Sequence, residues 1–233
     1  MDSFIEKFNI FDLFTMLIPG IIISTLFGIS LSFKYYNLWE NLGNEKYAIF
    51  FIFSYMCGVI FQEIGTIADK KFLHNILYGG NPREIFLLKN GHEKILNEEL
   101  FYKDALHIKK YIINTLDINI KKDMNIEDEK DLNSLIFGYC LNILENKKLA
   151  NKSEKMHVIS EMSRSLFWGC ISVIILNLVM ILKHSTYCSF YCIEIFFLII
   201  MCLVFLCRKK RYEKYRYRIL LRTFSLYIKE NAY

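Results

Sequence analysis

Few side chains in this 233-residue chain have the type and spacing for chemistry. His157 and Glu161 stand four apart, which would place both on one face of a helix. A catalytic zinc needs three protein ligands, and no third lies near them in sequence. They read as a solvated helix face. Cys188 and Cys192 share the same spacing. Helical i,i+4 geometry suits a disulfide poorly, so they read as small apolar residues. The Gly-rich YGGN at 78–81 could turn backbone amides toward a phosphate, but no Lys-Ser or Lys-Thr follows as in a P-loop. CxxC, HExxH, GxSxG and GxGxxG patterns are missing from the sequence. No catalytic residue, metal or cofactor is therefore expected, and the chain does not read as an enzyme.

What remains are polar residues set among apolar ones. Glu194 and Asn177 each interrupt a long apolar run, and Gln62 and Glu63 close another. An ionisable group at membrane depth is costly and faces a cavity, a partner or a pore. Glu194 has two readings: such a group, or a carboxylate at the outer interface of a shorter span. Asn177 suits an interhelical hydrogen bond. Gly20, Ser24, Gly28 and Ser32 recur every four residues, a small-residue stripe where another helix can approach closely. It serves either a pore or subunit interface, or packing inside the same chain against Ser54 and Gly58. With the stripe at a subunit contact, bulk at Gly28 should disturb assembly. Bulk at Ile23, on another face, should not.

The elements that position these residues follow from where charge is missing. Hydrophobic residues make up 54% of the chain and charged residues 23%, with a mean hydropathy of +0.25. Apolar and charged residues must be segregated. Leu13 to Phe33 carries no Asp, Glu, Lys or Arg over 21 residues, enough to cross a bilayer core as a helix. Tyr47–Gln62, Ser165–Leu182 and Ser185–Cys207 are three more such runs, the last broken only by Glu194. The fold class expected is all-α, with four transmembrane helices and a small helical cytoplasmic module. The first run reads as a retained span: three acids and one Lys precede it, and no small-residue cleavage pattern follows. Pro19-Gly20 should kink it. FIEKFNIFDLF at 4–14 reads as an interfacial entry helix or as the start of a long first helix.

Orientation follows from the basic residues. The segment 69–164 holds 16 Lys and Arg, and 208–233 holds 9 against 2 acids. Both segments are expected in the cytoplasm, and four spans bring the N-terminus to the same side. Arg208, Lys209, Lys210 and Arg211 directly follow the fourth run. They suit anionic lipid headgroups, and no direct DNA binding is expected. Within 69–164, Asn81 reads as a helix N-cap with Pro82 at the first helical position. A helix over 92–116 should bury Ile95, Leu96, Leu100, Leu106, Ile112 and Leu116, and 117–128 reads as a loop. A second helix over 129–147 should bury Leu132, Leu135, Ile136, Tyr139, Cys140, Ile143 and Leu144. The expected organisation is 1–68 for the entry helix and first two spans, 69–164 for the module, 165–207 for spans three and four, and 208–233 for a basic tail helix.

The order of features carries a resemblance. FDLFTMLIPG opens the first span, GVIFQEIGTIADKKF closes the second, and YGGNPREIFL turns into the module. SEMSRSLFWG leads into the third span, and RKKRYEKYRYRILLRTF follows the fourth. This resembles a family of bacterial four-span membrane proteins, some found beside antiphage defence genes. It is also similar in architecture to membrane effectors of nucleotide-signalling defence systems. The resemblance implies an oligomeric effector in the bacterial inner membrane, both termini cytoplasmic, acting as a gated pore or membrane disruptor. Its trigger would be a nucleotide signal or a cytoplasmic defence protein. A non-channel scaffold that recruits a cytoplasmic partner, and a small transporter, are the other two readings.

Overall fold

The computed structural model describes residues 13–40, 45–88, 95, 99–116, 125–183 and 188–231, and their side chains except those of 32–40, 99–102 and 231. Every described element is helical. After a π turn at Leu13–Leu17 come α1 (Ile18–Glu40) and α2 (Glu45–Ala68). A second π turn, Asp69–Leu73, leads to the short α3 (His74–Tyr78) and α4 (Pro82–Ile85). Then follow α5 (Glu99–Thr115), α6 (Ile126–Asn146), α7 (Asn151–Lys183) and α8 (Cys188–Asn231). The fold is all-α, as expected, and four helical stretches are long and apolar enough to cross a membrane: Leu13–Leu31, Glu45–Tyr78, Asn151–Lys183 and Cys188–Glu230.

The first π turn has a local cause. Pro19 has no amide hydrogen, and its ring crowds the carbonyl one turn back. The chain widens there just before α1 begins. The entry helix proposed over 4–14 lies mostly outside the described residues.

The chain divides into two compact units. Unit 1 comprises Met1–Ile67 and Val158–Lys210; unit 2 comprises Ala68–His157 and Arg211–Tyr233. Each divide falls inside continuous helix: at the end of α2, within α7 and within α8. Unit 1 packs Ile23, Phe61, Cys170, Val173 and Leu198 at its centre. Its outside is apolar too: Phe51, Ile52, Phe53 and Ile60 on α2, and Ile193, Phe196, Phe197 and Leu203 on α8, are all exposed. So much contiguous exposed apolar surface is what a lipid-facing bundle presents.

Unit 2 has a core of its own, where Phe86, Phe137 and Tyr217 pack ring against ring, with Ile108, Ile136, Leu220 and Phe224 around them. The turn into it is built as its sequence reads. Gly79 takes a left-handed conformation, its amide donating to the Asn75 carbonyl while that of Gly80 reaches His74. The Asn81 side chain then accepts from the Arg83 amide, with Pro82 starting α4. The helical faces differ in detail from expectation. On α5 the buried residues are Ala105, Ile108 and Ile112, while Leu106 and Leu116 are exposed. The seam follows the i, i+3, i+7 row through Ala105, which a reading confined to large residues passes over. Helix α6 starts at Ile126, so Glu127, Asp128 and Glu129 fill its first turn, where the helix dipole favours acids. It buries Phe137 and Asn133, and leaves Leu135 exposed. Asn133 Nδ2 donates to the Glu84 carbonyl at 2.8 Å, tying α6 to α4. Burial pushes the Cys140 thiol well above its ordinary range, leaving it an inert core residue. The basic segment after the fourth run contributes Tyr217, Leu220, Leu221, Phe224 and Ile228 to this core.

Candidate functional site

Within unit 1 the small residues of α1 fall into two groups. A methyl group at Gly20 would overlap the Ser54 carbonyl, and one at Gly58 would overlap the Met16 carbonyl. The two glycines thus face each other's helix reciprocally, letting the α1 and α2 backbones touch. Ser24 is buried as well. Gly28 is exposed, with open space where a side chain would go, and the Ser32 side chain lies outside the described residues. The four do not form one outward stripe. Gly20 and Ser24 are covered within the chain. Ile23 is also not an indifferent face: it is fully buried, and its side chain fills the space left by Gly169.

Two polar clusters sit in the bundle. The first joins α1 to α8. Ser30, fully buried, places its Oγ 2.8 Å from Glu194 Oε1 and 3.0 Å from the Leu26 carbonyl. Its single hydrogen serves one of them at a time. The Tyr191 hydroxyl, one turn from Glu194, donates to the Ser30 carbonyl at 3.4 Å. Glu194 Oε2 is buried with no hydrogen-bond partner among the described residues. The same holds for both amide atoms of Asn177, which is fully buried on α7. The interhelical bond expected of Asn177 is therefore not made among the described residues.

The second cluster precedes the third apolar run. Arg164 is 7% exposed and makes a close ion pair with Glu161 one turn earlier. Its Nη2 donates to Thr66 Oγ1 at 2.8 Å, and Thr66 in turn donates to the Gln62 carbonyl at 2.9 Å. Gly65 makes room, since a methyl there would lie 3.0 to 3.2 Å from the Arg164 stem. The guanidinium is thus held by a carboxylate on its own helix and a hydroxyl from α2. Glu161 is half-buried and paired, and His157 Nδ1 lies 3.0 Å from Arg216 Nη1. A guanidinium can only donate, so His157 accepts there as a neutral ring. The pair is not a solvated face, because each side chain has a partner of its own. Cys188 and Cys192 are free thiols with sulfurs 3.9 Å apart.

Of the four basic residues after the fourth run, Arg208 and Arg211 are exposed and Lys210 is half-buried. Lys209 is only 2% exposed, so its ammonium is turned into the protein and not toward headgroups. Arg164, Thr66, Gly65, Ser30 and Tyr191 were not singled out by the sequence reading. Arg164 had a signal, a lone Arg abutting an uncharged run with Glu three residues before it. Ser30 and Tyr191 had none, since only the packing of α1 on α8 brings them to Glu194.

The chain has no match among protein-family models, curated proteins or solved structures. Its class therefore rests on architecture: an all-α, polytopic membrane protein with four candidate spans, its helices dividing into two compact units.

Proposed function

We propose that the protein is an oligomeric effector of the bacterial inner membrane, non-enzymatic, acting as a gated pore or membrane disruptor in antiphage defence. Unit 2 is its cytoplasmic receiver, with a nucleotide signal or a defence protein as trigger. The observation that carries this reading is the continuity of helix between the units: α7 and α8 each run unbroken from one into the other. A partner that alters unit 2 acts on a unit whose helices α7 and α8 continue into the spans. The antiphage setting rests on the resemblance of the span and turn motifs.

The test is phage challenge of cells expressing the protein with and without its neighbouring genes, with membrane potential followed throughout. Protection that coincides with depolarisation is expected. No protection and no depolarisation in any combination refutes the proposal. Conductance in reconstituted bilayers separates the pore from a scaffold, which would capture a partner through unit 2 and pass no current.

A further inference from the structure

We propose that unit 1 binds a sodium-sized monovalent cation between Glu194 and Asn177, inside the membrane-spanning bundle. This does not depend on the pore reading, because every residue involved belongs to one protomer.

The register of α7 against α8 brings the two residues to one depth. Cys202 Sγ lies 3.9 Å from the Phe167 carbonyl, and Cys170 and Cys202 face each other in one buried core. The helices run antiparallel from there toward the connection between Lys183 and Cys188. Asn177 is seven residues beyond Cys170, and Glu194 is eight residues before Cys202. At about 1.5 Å per residue the two levels differ by roughly one residue's rise. Seven residues is also close to two full turns, so Asn177 shares the α7 face on which Cys170 meets α8. Ser30 of α1 reaches the same level through its bond to Glu194.

The chemistry at that level is unbalanced. Asn177 is wholly enclosed, and both its oxygen and its nitrogen lack partners among the described residues. Glu194 has one oxygen engaged by Ser30 and the other buried and open. No ion pair among the described residues engages Glu194. An unpaired buried amide and a carboxylate at membrane depth are each costly. A water molecule would satisfy the amide but not offset the charge. A monovalent cation does both: Asn177 Oδ1 and Glu194 Oε2 are hard oxygen donors, and one carboxylate balances one positive charge. A divalent ion would leave net charge in the bundle.

The experiment uses the full-length protein in detergent micelles, with sodium chloride exchanged for choline chloride at constant pH and ionic strength. Melting is followed by tryptophan fluorescence. Sodium should raise the wild-type midpoint where choline does not, because a ligand of the native state stabilises it. Glu194→Gln should abolish the rise. Asn177→Leu should weaken the apparent sodium affinity by about tenfold or more, the loss of one good ligand contact. Should Glu194→Gln fail to fold, line broadening in sodium NMR on wild type and Asn177→Leu gives the same comparison, since leucine suits an apolar bundle. The proposal is overturned if sodium and choline act alike on wild type. It is equally overturned if the sodium effect survives in Glu194→Gln, or if Asn177→Leu binds sodium as wild type does.

Discussion

Replacing Gly58 with alanine should destabilise unit 1, while the same change at Gly28 should not. At Gly58 the new methyl would overlap the Met16 carbonyl, both oxygen and carbon. These are backbone atoms, so no rotamer change relieves the clash. The turn Leu13–Leu17 that leads into α1 would have to retreat by roughly 1.5 Å to restore ordinary carbon–oxygen separation. Overpacking of that kind costs about 1–3 kcal/mol. At Gly28 nothing lies within 4 Å of the added methyl. There alanine gains up to about 1 kcal/mol of helix propensity. The two variants should therefore differ by about 2 kcal/mol or more. Equilibrium denaturation of purified full-length protein in micelles, followed by circular dichroism, reads that difference. Equal stability of the two variants, or a Gly28→Ala variant weaker than Gly58→Ala, would refute the close α1–α2 contact.

Arg164→Leu should cost about 3–5 kcal/mol by removing its ion pair with Glu161 and its bond to Thr66, and the double variant with Glu161→Leu should recover part of the loss; a double-mutant cycle in the same assay measures the coupling. Asn133→Ala should lower stability by about 1–3 kcal/mol through loss of the bond to the Glu84 carbonyl, and a midpoint unchanged from wild type would show that bond to be dispensable. The proposal that both large basic segments are cytoplasmic predicts that a single cysteine at position 40 reacts with an impermeant maleimide from outside, and one at position 125 only after lysis. The opposite labelling pattern would invert the topology.

What could be read from the residues was whatever depends on their order along one helix. The four apolar runs, the Gly-rich turn at 78–81, the cap at Asn81 and the approach of 152–164 to the third span are all local, set by composition or backbone chemistry. What could not be read depends on which helix packs against which. The recurrence of Gly20, Ser24, Gly28 and Ser32 at one spacing says nothing of what covers each, and α2 covers only the first part. Nothing in the sequence around Ile23 points to its partner, because Gly169 is nearly 150 residues away. The basic residues of the tail, interleaved with aromatics, suggest lipid headgroups, yet Tyr217 and Phe224 complete a core whose other half is supplied by α4, α5 and α6. Ala105 contributes little to an apolar pattern, being small, while its position still decides the seam.

That last arrangement has a bearing on how the protein is made. Phe86 and Phe137 leave the ribosome long before Tyr217 and Phe224, yet the four belong to one core. Until α8 is synthesised, α4 to α6 have an unfinished apolar face, while two further spans are still to be inserted. Unit 2 therefore cannot close during translation of its own first stretch, and its folding waits on insertion of the bundle. A nascent chain arrested before residue 211 should be a client for chaperones and proteases, so that only chains carried through synthesis of both later spans acquire a finished unit 2.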